Sequence, residues 1–251
     1  MSSLQNESDN STPSSDLSLA LQERVTLSAE RNRRHDTNRI VQFFPDTGEL
    51  RRELYPKHCQ FFALGADERE RGFMAANRVG KTVVGAYEMT CHLTGEYPHW
   101  WEGRRFHRPI EAWAAGDTSE TTRDIVQKEL MGPVGELGTG MIPLKAIIGE
   151  PSKRMGVAGA MDTARIKHIS GGTSVLGFKS YDQRRAKFQG TGKHVIWLDE
   201  EPDMSIYSEC LIRTMTTDGL VILTFTPLLG LSDVALKFLP DMAPAVEDSA
   251  A

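Results

Sequence analysis

The tripeptide Gly80-Lys81-Thr82 is the first stretch of the sequence whose residue types and order indicate a defined chemistry. In the pattern G-x-x-x-x-G-K-[ST], backbone N–H groups surround phosphate oxygens, the lysine neutralises their charge and the hydroxyl ligates Mg²⁺. Ala75 replaces the first glycine, which is acceptable at a strand-to-loop corner while its φ stays negative. The sequence therefore predicts a phosphate-binding loop that comprises Ala76, Asn77, Arg78, Val79, Gly80, Lys81 and Thr82.

A second group of candidate residues ends the apolar stretch "VIWLDEE". A phosphate-ester hydrolase needs one carboxylate that holds Mg²⁺ and a second that orients or deprotonates the attacking water. We predict that Asp199 is the metal-side carboxylate and Glu200 the catalytic base, with Glu201 structural or sensing. The acid that follows Asp199 favours transfer to water over transfer to an organic acceptor. The alternative is that three acids simply end a strand at the surface.

Two further stretches contain candidate nucleotide contacts. In "LTFTPLLG", a hydroxyl such as that of Thr226 can sense the terminal phosphate, although an ordinary strand followed by a proline turn would look the same. In "LYPKHCQFF", Gln60 presents both an amide donor and an acceptor, which suits the edge of adenine. Tyr55, Phe61 or Phe62 could stack on the base; alternatively, both phenylalanines belong to the core and Gln60 is exposed.

These residues require a scaffold that brings several strand ends together. The hydrophobic pattern predicts strands at "GFMAA", "IEAWAAG", "HVIWLDEE" and "GLVILTFTP", and helices at "KTVVGAYEMTCHL", "SETTRDIVQKEL", "IYSECLIRTM" and "SDVALKFL". Ser119 and Ser232 are predicted N-caps, and Gly171-Gly172 predicts a hairpin. Continuous apolar strands that alternate with helices indicate a parallel sheet covered on both faces. We therefore predict an α/β fold: a P-loop NTPase of the RecA/ASCE type, with a mainly parallel central sheet flanked by helices.

Composition limits the class of protein. The chain has 251 residues and a formal net charge of −5, so DNA contact would depend on local patches and be weak and salt-sensitive. Its three cysteines lack C-x-x-C spacing, which argues against a disulfide framework or zinc site. No apolar stretch approaches the roughly 18 residues of a membrane span, and the N-terminus lacks the features of a signal peptide. We expect a cytosolic protein.

Four segments are expected along the chain. Residues 1–18 are rich in Ser, Asn and Asp and predict a disordered tail. Residues 19–60 form a helical segment that includes the adenine-contacting residues, and its stretch "RNRRHDTNR" is either a solvated helix face or an arm. Residues 61–240 form the nucleotide-binding core, and residues 241–251 a flexible tail.

The stretches "ANRVGKT", "KFQGTGKHVIWLDEEPD" and "TFTPLLGLSDV" occur in an order that resembles the large terminase subunit of tailed bacteriophages. The resemblance covers roughly residues 50–240. It implies an ATPase motor that uses ATP and Mg²⁺ to move double-stranded DNA into a procapsid. It also implies that Arg78 contacts the γ-phosphate region, that Gln60 contacts adenine, and that "TFTP" couples hydrolysis to movement. Ala75 and Arg78 then belong to a specialised loop, not a damaged one.

The same resemblance implies the partners of the chain. They are double-stranded DNA bound without sequence preference, the portal protein and the small terminase subunit, in the cytoplasm of a bacterial host. A homo-oligomeric ring is expected in function, with a monomer as the alternative in isolation, and no membrane is involved. Family members also carry a C-terminal nuclease domain. Because the sequence ends at Ala251 in an Ala/Pro/acidic tail, we expect no DNA cleavage by this chain.

The sequence leaves open which arginine would act on a neighbouring subunit and what role a second basic stretch has. Motor rings often need an arginine from the neighbouring subunit, because charge that develops on the γ-phosphate must be neutralised. The stretch "HWWEGRRFHR" is either a DNA-contacting surface or part of the core. The candidates for the arginine that acts on a neighbour are Arg123, Arg154, Arg165, Arg184 and Arg185, with Arg154 and Arg184 preferred.

Two other functions compete with the motor. A helicase-like ATPase would need a second RecA-like lobe, for which the sequence is too short. A nucleotide-binding assembly module would hydrolyse ATP only inside the assembled motor.

Overall fold

The structure of the protein, a computed structural model, describes residues 21–26, 38–228, 230 and 232–239. Internal contacts divide the chain into two units, Met1–Thr37 and Asn38–Ala251. In the first unit, residues 21–26 are helical. The predicted tails at 1–18 and 241–251 lie outside the described residues, as do residues 31–37 of the arginine-rich stretch.

Seven strands form one sheet in the described part of the second unit, in the order β1-β7-β6-β2-β5-β4-β3. The first five of these are mutually parallel, and β4 and β3 add antiparallel strands at one end. The predicted α/β fold and the hairpin between β4 and β5 are confirmed. The strands are β1 (Glu70–Met74), β2 (Glu111–Gly116), β3 (Ser152–Lys153), β4 (Met161–Lys167), β5 (Thr173–Ser180), β6 (Val195–Asp199) and β7 (Leu220–Phe225).

Helices cover the sheet. The helix α3 is continuous but has a π-helical centre, with segments Ser119–Thr121, Thr122–Gln127 and Lys128–Met131. None of the described helices combines the length and apolar character needed to cross a membrane. The others are α1 (Pro56–Leu64), α2 (Lys81–Thr94), α4 (Met204–Met215) and α5 (Asp233–Phe238), with 3₁₀ turns at Arg39–Gln42, Arg52–Leu54, Leu144–Ala146, Tyr181–Gln183 and Arg185–Phe188.

The central strands β6 and β7 are buried at every position. Successive side chains point to opposite faces of a strand, and here they enter two different apolar clusters. Val195 and Trp197 join one cluster, whereas Ile196 and Leu198 join the other. Two buried faces explain why the sequence of these strands is continuously apolar instead of alternating.

A glycine inside α2 allows this helix to approach the sheet closely. A Cβ atom added to Gly85 would lie 2.1 Å from the indole of Trp197 on β6. Glycine in a helix interior costs about 1 kcal/mol relative to alanine. The cost is offset because the helix that follows the phosphate-binding loop packs directly against the central strand.

The predicted N-cap of α3 is wrong by one residue. Thr118 has an extended backbone, with φ −112° and ψ 167°, and its Oγ1 accepts a hydrogen bond from the Thr121 N–H at 3.1 Å. The Thr121 hydroxyl in turn accepts from the Thr118 N–H at 2.9 Å. Ser119 already lies within the helix and its hydroxyl contacts Ser180 instead. The second predicted cap, Ser232 on α5, is confirmed.

The Trp-rich stretch at residues 99–108 packs partly on the core. Trp101 is 4% exposed, and its ring stacks on Phe62 at a centroid distance of 5.1 Å. Phe61 and Phe62 are both buried, so the core alternative holds for these two phenylalanines.

A buried ion pair joins β1 to α2, the two elements that flank the phosphate-binding loop. Arg71 Nη2 donates to Glu88 Oε1 at 2.6 Å, and His92 Nε2 lies 3.1 Å from the same oxygen. Burial is the largest single influence and would raise the pKa of Glu88, but the charges and hydrogen bonds of Arg71 and His92 together outweigh it, and the pKa is lowered. Burial lowers the pKa of His92 below its ordinary value. Glu88 is therefore charged and His92 neutral in the folded protein near pH 7.

Because His92 is buried in its uncharged form, the stability of the protein should depend on pH. In the unfolded chain this histidine takes up a proton near pH 6.5, but the folded state resists it, so stability falls as the pH drops below about 6.5. We expect the free energy of unfolding in urea to fall less between about pH 7 and pH 5 for His92→Gln than for the wild type. The exposed His107→Gln is the control and should keep the wild-type slope. Equal slopes for wild type and His92→Gln would contradict this assignment.

Candidate active site

The loop between β1 and α2 is the segment for which the sequence predicts phosphate binding. It starts after Met74 and ends where α2 begins at Lys81. Gly80 and Arg78 both adopt left-handed conformations, with φ of 86° and 65°, whereas Ala75 keeps a negative φ, as expected for its position. The first N–H groups of an α-helix lack partners inside the helix and carry the positive end of its dipole. They point at the space that the loop encloses, which is a favourable place for an anion.

Lys81 lies at the centre of the loop and is 7% exposed. Its Nζ donates to the carbonyl oxygen of Ala76 at 2.9 Å and to Thr226 Oγ1 at 2.6 Å. The Thr226 hydroxyl donates onward to Asn77 Oδ1 at 2.8 Å, which connects the end of β7 to the loop. Within the described residues the ammonium forms no ion pair with a carboxylate. A buried cation is stabilised by nearby negative charge: Lys81 interacts with the Asp199 carboxylate without forming an ion pair, and it would also favour an anionic ligand.

Asp199 is at the end of β6 and faces the start of α2. The Thr82 hydroxyl lies 3.2 Å from each of its carboxylate oxygens, and Thr224 Oγ1 donates to Oδ1 at 2.7 Å. The indole Nε1 of Trp197 donates to Thr224 Oγ1 at 2.7 Å. Burial raises the pKa of Asp199 to about 7, the nearby charge of Glu200 adds to the rise, and the hydrogen bonds from both threonines oppose it.

The pairing of Asp199 with Thr82 fits a bound Mg²⁺. Both side chains offer hard oxygen ligands at one point, and burial disfavours the charged form of Asp199, which a bound cation would stabilise. The part of the chain that the structure describes contains no cluster of three or more His, Cys, Asp or Glu side chains suited to a metal. Mg²⁺ commonly binds through one or two carboxylates, with phosphates and waters completing the octahedron.

The two acids after Asp199 have different environments. Glu200 is partly exposed, and its carboxylate has no hydrogen-bond or ion-pair partner among the described residues. The Glu201 carboxylate instead accepts a hydrogen bond from Ser232, the N-cap of α5. Asp199 itself is only 3% exposed. The three acids therefore do not form a uniformly solvated strand end: one is buried, one is anchored, and Glu200 is available to accept a proton.

A cavity of about 260 Å³ opens beside the loop. Tyr55, one of the three residues considered for stacking on the base, lines this cavity, but Gln60 does not. Gln60 is exposed at a separate cavity of about 370 Å³, where its Oε1 accepts a hydrogen bond from Lys57 at 3.3 Å. The cavity beside the loop is lined by Phe43, Phe44, Leu50, Tyr55, His58, Arg78, Val79, Gly80 and Val83.

Sequence reasoning missed His58. Its Nε2 lies 3.1 Å from the carbonyl oxygen of Val79, so α1 contacts the loop directly. The signal is helical periodicity: residues 55 and 58 are three apart and share one face of α1, whereas residue 60 lies on another. A helix that begins at Pro56 separates His58 from Gln60, but which of the two faces contacts the loop depends on how α1 packs.

The Arg154 side chain makes its hydrogen bonds within its own domain. Its guanidinium donates to the hydroxyls of Ser119 and Ser180, each at 3.2 Å, and to the carbonyl oxygen of Phe178. The side chain is 8% exposed and lies 3.9 Å from Asp162. This arginine stabilises the ends of β5 and α3 and is poorly placed to reach another subunit.

The other candidate arginines differ in whether they form ion pairs. Arg123 and Arg185 each form an ion pair with a nearby carboxylate. Arg165 and Arg184 are exposed and have no ion pair among the described residues. Arg165 lies within β4, opposite Val175 near the start of β5, whereas Arg184 follows the end of β5. Arg184 is therefore the free arginine at the edge of the sheet where the loop and the acids meet.

The large terminase subunit of Salmonella phage P22 is 38% identical over 237 residues, which cover 86% of this chain and 46% of the relative. This chain thus spans about half the length of that relative.

Two solved structures are similar at lower identity. The large terminase ATPase domain of Thermus phage P74-26 has 17% identity and a TM-score of 0.45, over 66% of this chain and 62% of that chain. The large terminase of another thermophilic bacteriophage, solved in complex with ADP, has 13% identity and a TM-score of 0.46, over 76% and 50%. The family described as "Terminase large subunit, T4likevirus-type, N-terminal" matches residues 72–250. The chain belongs to the terminase large-subunit family.

Proposed function

We propose that the chain is the ATPase domain of a phage DNA-packaging motor, which hydrolyses ATP with Mg²⁺ to move double-stranded DNA into a procapsid. The observation that carries the proposal is the meeting of the loop with the acids, where Thr82 Oγ1 lies 3.2 Å from the Asp199 carboxylate. The motor would work in the bacterial cytoplasm with the portal protein and the small terminase subunit as partners. The identity to the P22 large terminase supports this assignment.

The side chains suggest how hydrolysis would proceed. The loop N–H groups and Lys81 bind the phosphates, and Lys81 then exchanges its contact with Thr226 for a phosphate oxygen. Mg²⁺, held by Thr82 and Asp199, would neutralise phosphate charge. Glu200 takes a proton from water as the water oxygen attacks the γ-phosphorus. The bond from phosphorus to the bridging oxygen breaks and releases ADP, and Arg78 would contact the γ-phosphate region.

The cavity beside the loop is the proposed site of the base. It adjoins Gly80 and Val83, on the side of the loop where the chain enters α2, and its aromatic walls suit stacking on a flat ring. Gln60 is on a different cavity, so we place adenine against Tyr55 and His58 instead.

Removal of the catalytic base should separate hydrolysis from binding. We expect Glu200→Gln to lower kcat for ATP by about 100-fold or more, because general-base catalysis contributes at least that much. Its affinity for a fluorescent ATP analogue should stay near that of the wild type, whereas Lys81→Ala should weaken both. Glu201→Gln is the matched control, since its amide can keep the Ser232 contact. Wild-type turnover in Glu200→Gln would contradict the role of this carboxylate.

Arg184 is the reason to retain the alternative in which ATP is hydrolysed only in the assembled motor. Arg184 has no ion-pair partner among the described residues, and it lies at the edge of the sheet that holds the site. We propose that it completes the site of a neighbouring subunit in a ring and neutralises the charge that develops on the γ-phosphate. Hydrolysis per subunit would then rise steeply with protein concentration. A strictly autonomous enzyme would show no such rise.

Mixing two inactive variants tests this role of Arg184. Arg184→Ala retains an intact loop, and Lys81→Ala retains the arginine, so mixed rings contain some complete sites. We expect ATPase activity in the mixture above the sum of the two variants measured separately. Arg154→Ala mixed with Lys81→Ala is the comparison and should show no rescue, since Arg154 is engaged internally. Absence of rescue with Arg184→Ala would contradict its action on a neighbour.

A further inference from the structure

The backbone of Glu200 is held in a strained conformation. Its φ is 66°, in the left-handed region that residues with a side chain rarely adopt. Such a conformation is unfavourable and persists only where the surroundings impose it. Because Glu200 follows β6 directly, this bend decides in which direction the free carboxylate leaves the strand.

One hydroxyl fixes both peptide groups that flank this residue. The Tyr181 oxygen lies 3.1 Å from the carbonyl oxygen of Asp199 and 2.9 Å from that of Glu200, so its one hydrogen is shared between the two acceptors. The first carbonyl belongs to the peptide group before the Glu200 Cα, and the second to the one after it. The orientations of these two planes define φ and ψ of Glu200. The Glu200 N–H donates to the carbonyl oxygen of Thr224 at 2.9 Å, which ties the first plane to β7 as well.

Tyr181 is itself held firmly. Its N–H donates to the carbonyl oxygen of Asp117 at 2.9 Å, and its ring packs near that of the fully buried Phe188. The next residue, Asp182, accepts hydrogen bonds from the Ser119 N–H at 3.1 Å and from the Ser180 hydroxyl at 2.6 Å. The turn that carries Tyr181 is therefore anchored to the ends of β2 and β5, and the hydroxyl has a defined position.

We propose that Tyr181 is a positioning residue for hydrolysis: its hydroxyl holds the Glu200 backbone in the left-handed conformation that aims the carboxylate at the attacking water. This role rests on the proposed function, in which Glu200 is the base. Tyr181 acts through Glu200 and does not touch the nucleotide. A misplacement of the base by about 1 Å can reduce a rate by about 100-fold while substrate binding is kept.

Removal of the hydroxyl tests the proposal. Tyr207→Phe is the matched control, because Tyr207 packs in the same apolar cluster and its hydroxyl donates to Glu70 Oε2 at 2.8 Å. For Tyr181→Phe we expect kcat for ATP to fall by about 10- to 100-fold, with KM within about twofold of the wild type. Tyr207→Phe should keep both constants even if its Tm falls by as much as that of Tyr181→Phe. A wild-type kcat in Tyr181→Phe, or an equal fall of kcat in both variants, would overturn the proposal.

A second readout does not depend on activity. Amide hydrogen exchange measured by NMR should show faster exchange of the Glu200 N–H in Tyr181→Phe, with Leu198 of β6 unchanged. Tyr207→Phe should leave the Glu200 N–H as protected as in the wild type. Unchanged Glu200 protection in Tyr181→Phe would overturn the positioning role. Absence of wild-type turnover at every protein concentration would instead overturn the proposed function, and the exchange experiment would still decide whether Tyr181 holds this backbone.

Discussion

A chain of hydrogen bonds from the core to the loop is the interaction on which the site depends. The indole of Trp197 donates to Thr224, Thr224 donates to Asp199 at 2.7 Å, and Thr82 lies 3.2 Å from the same carboxylate. These residues belong to β6, β7 and α2. Because Gly85 lets α2 rest on the indole, the contact that packs the helix also orients the carboxylate. Correct packing of the central sheet and assembly of the site are therefore a single structural event.

Charge is distributed unevenly along α2. Two turns into the helix, Glu88 pairs with Arg71 of β1, and the two charges neutralise each other within the core. At the first residue of the helix, Lys81 is buried without an ion pair among the described residues, and burial raises the pKa of the nearby Asp199 to about 7. Groups of this kind reduce stability unless something else supplies the opposite charge. A triphosphate with its cation would supply both charges, which accounts for the arrangement and makes ligand binding a source of stability.

The parts of the fold that could be predicted are those in which the type of each residue indicates its environment without knowledge of distant contacts. The apolar side chains of β6 and β7 contact one of two apolar clusters, so the strands were visible as apolar runs. The loop was visible because lysine and glycine have fixed roles beside phosphate. Three features depended on geometry that a linear pattern lacks. His58 required the phase of α1, Thr118 required a backbone angle, and Tyr181 required the proximity of two loops that follow β5 and β6, strands that are not neighbours in the sheet.

The central claim is that one triphosphate and its cation lie between the loop at Lys81 and the acids at the end of β6. A crystal structure with a non-hydrolysable ATP analogue and Mg²⁺ tests it most directly. We expect a γ-phosphate oxygen about 3 Å from Lys81 Nζ, with Mg²⁺ on the Thr82 hydroxyl and beside Asp199, and the Glu200 carboxylate facing the γ-phosphorus. An analogue bound elsewhere, or a loop whose phosphates lie away from Asp199 and Glu200, would contradict it.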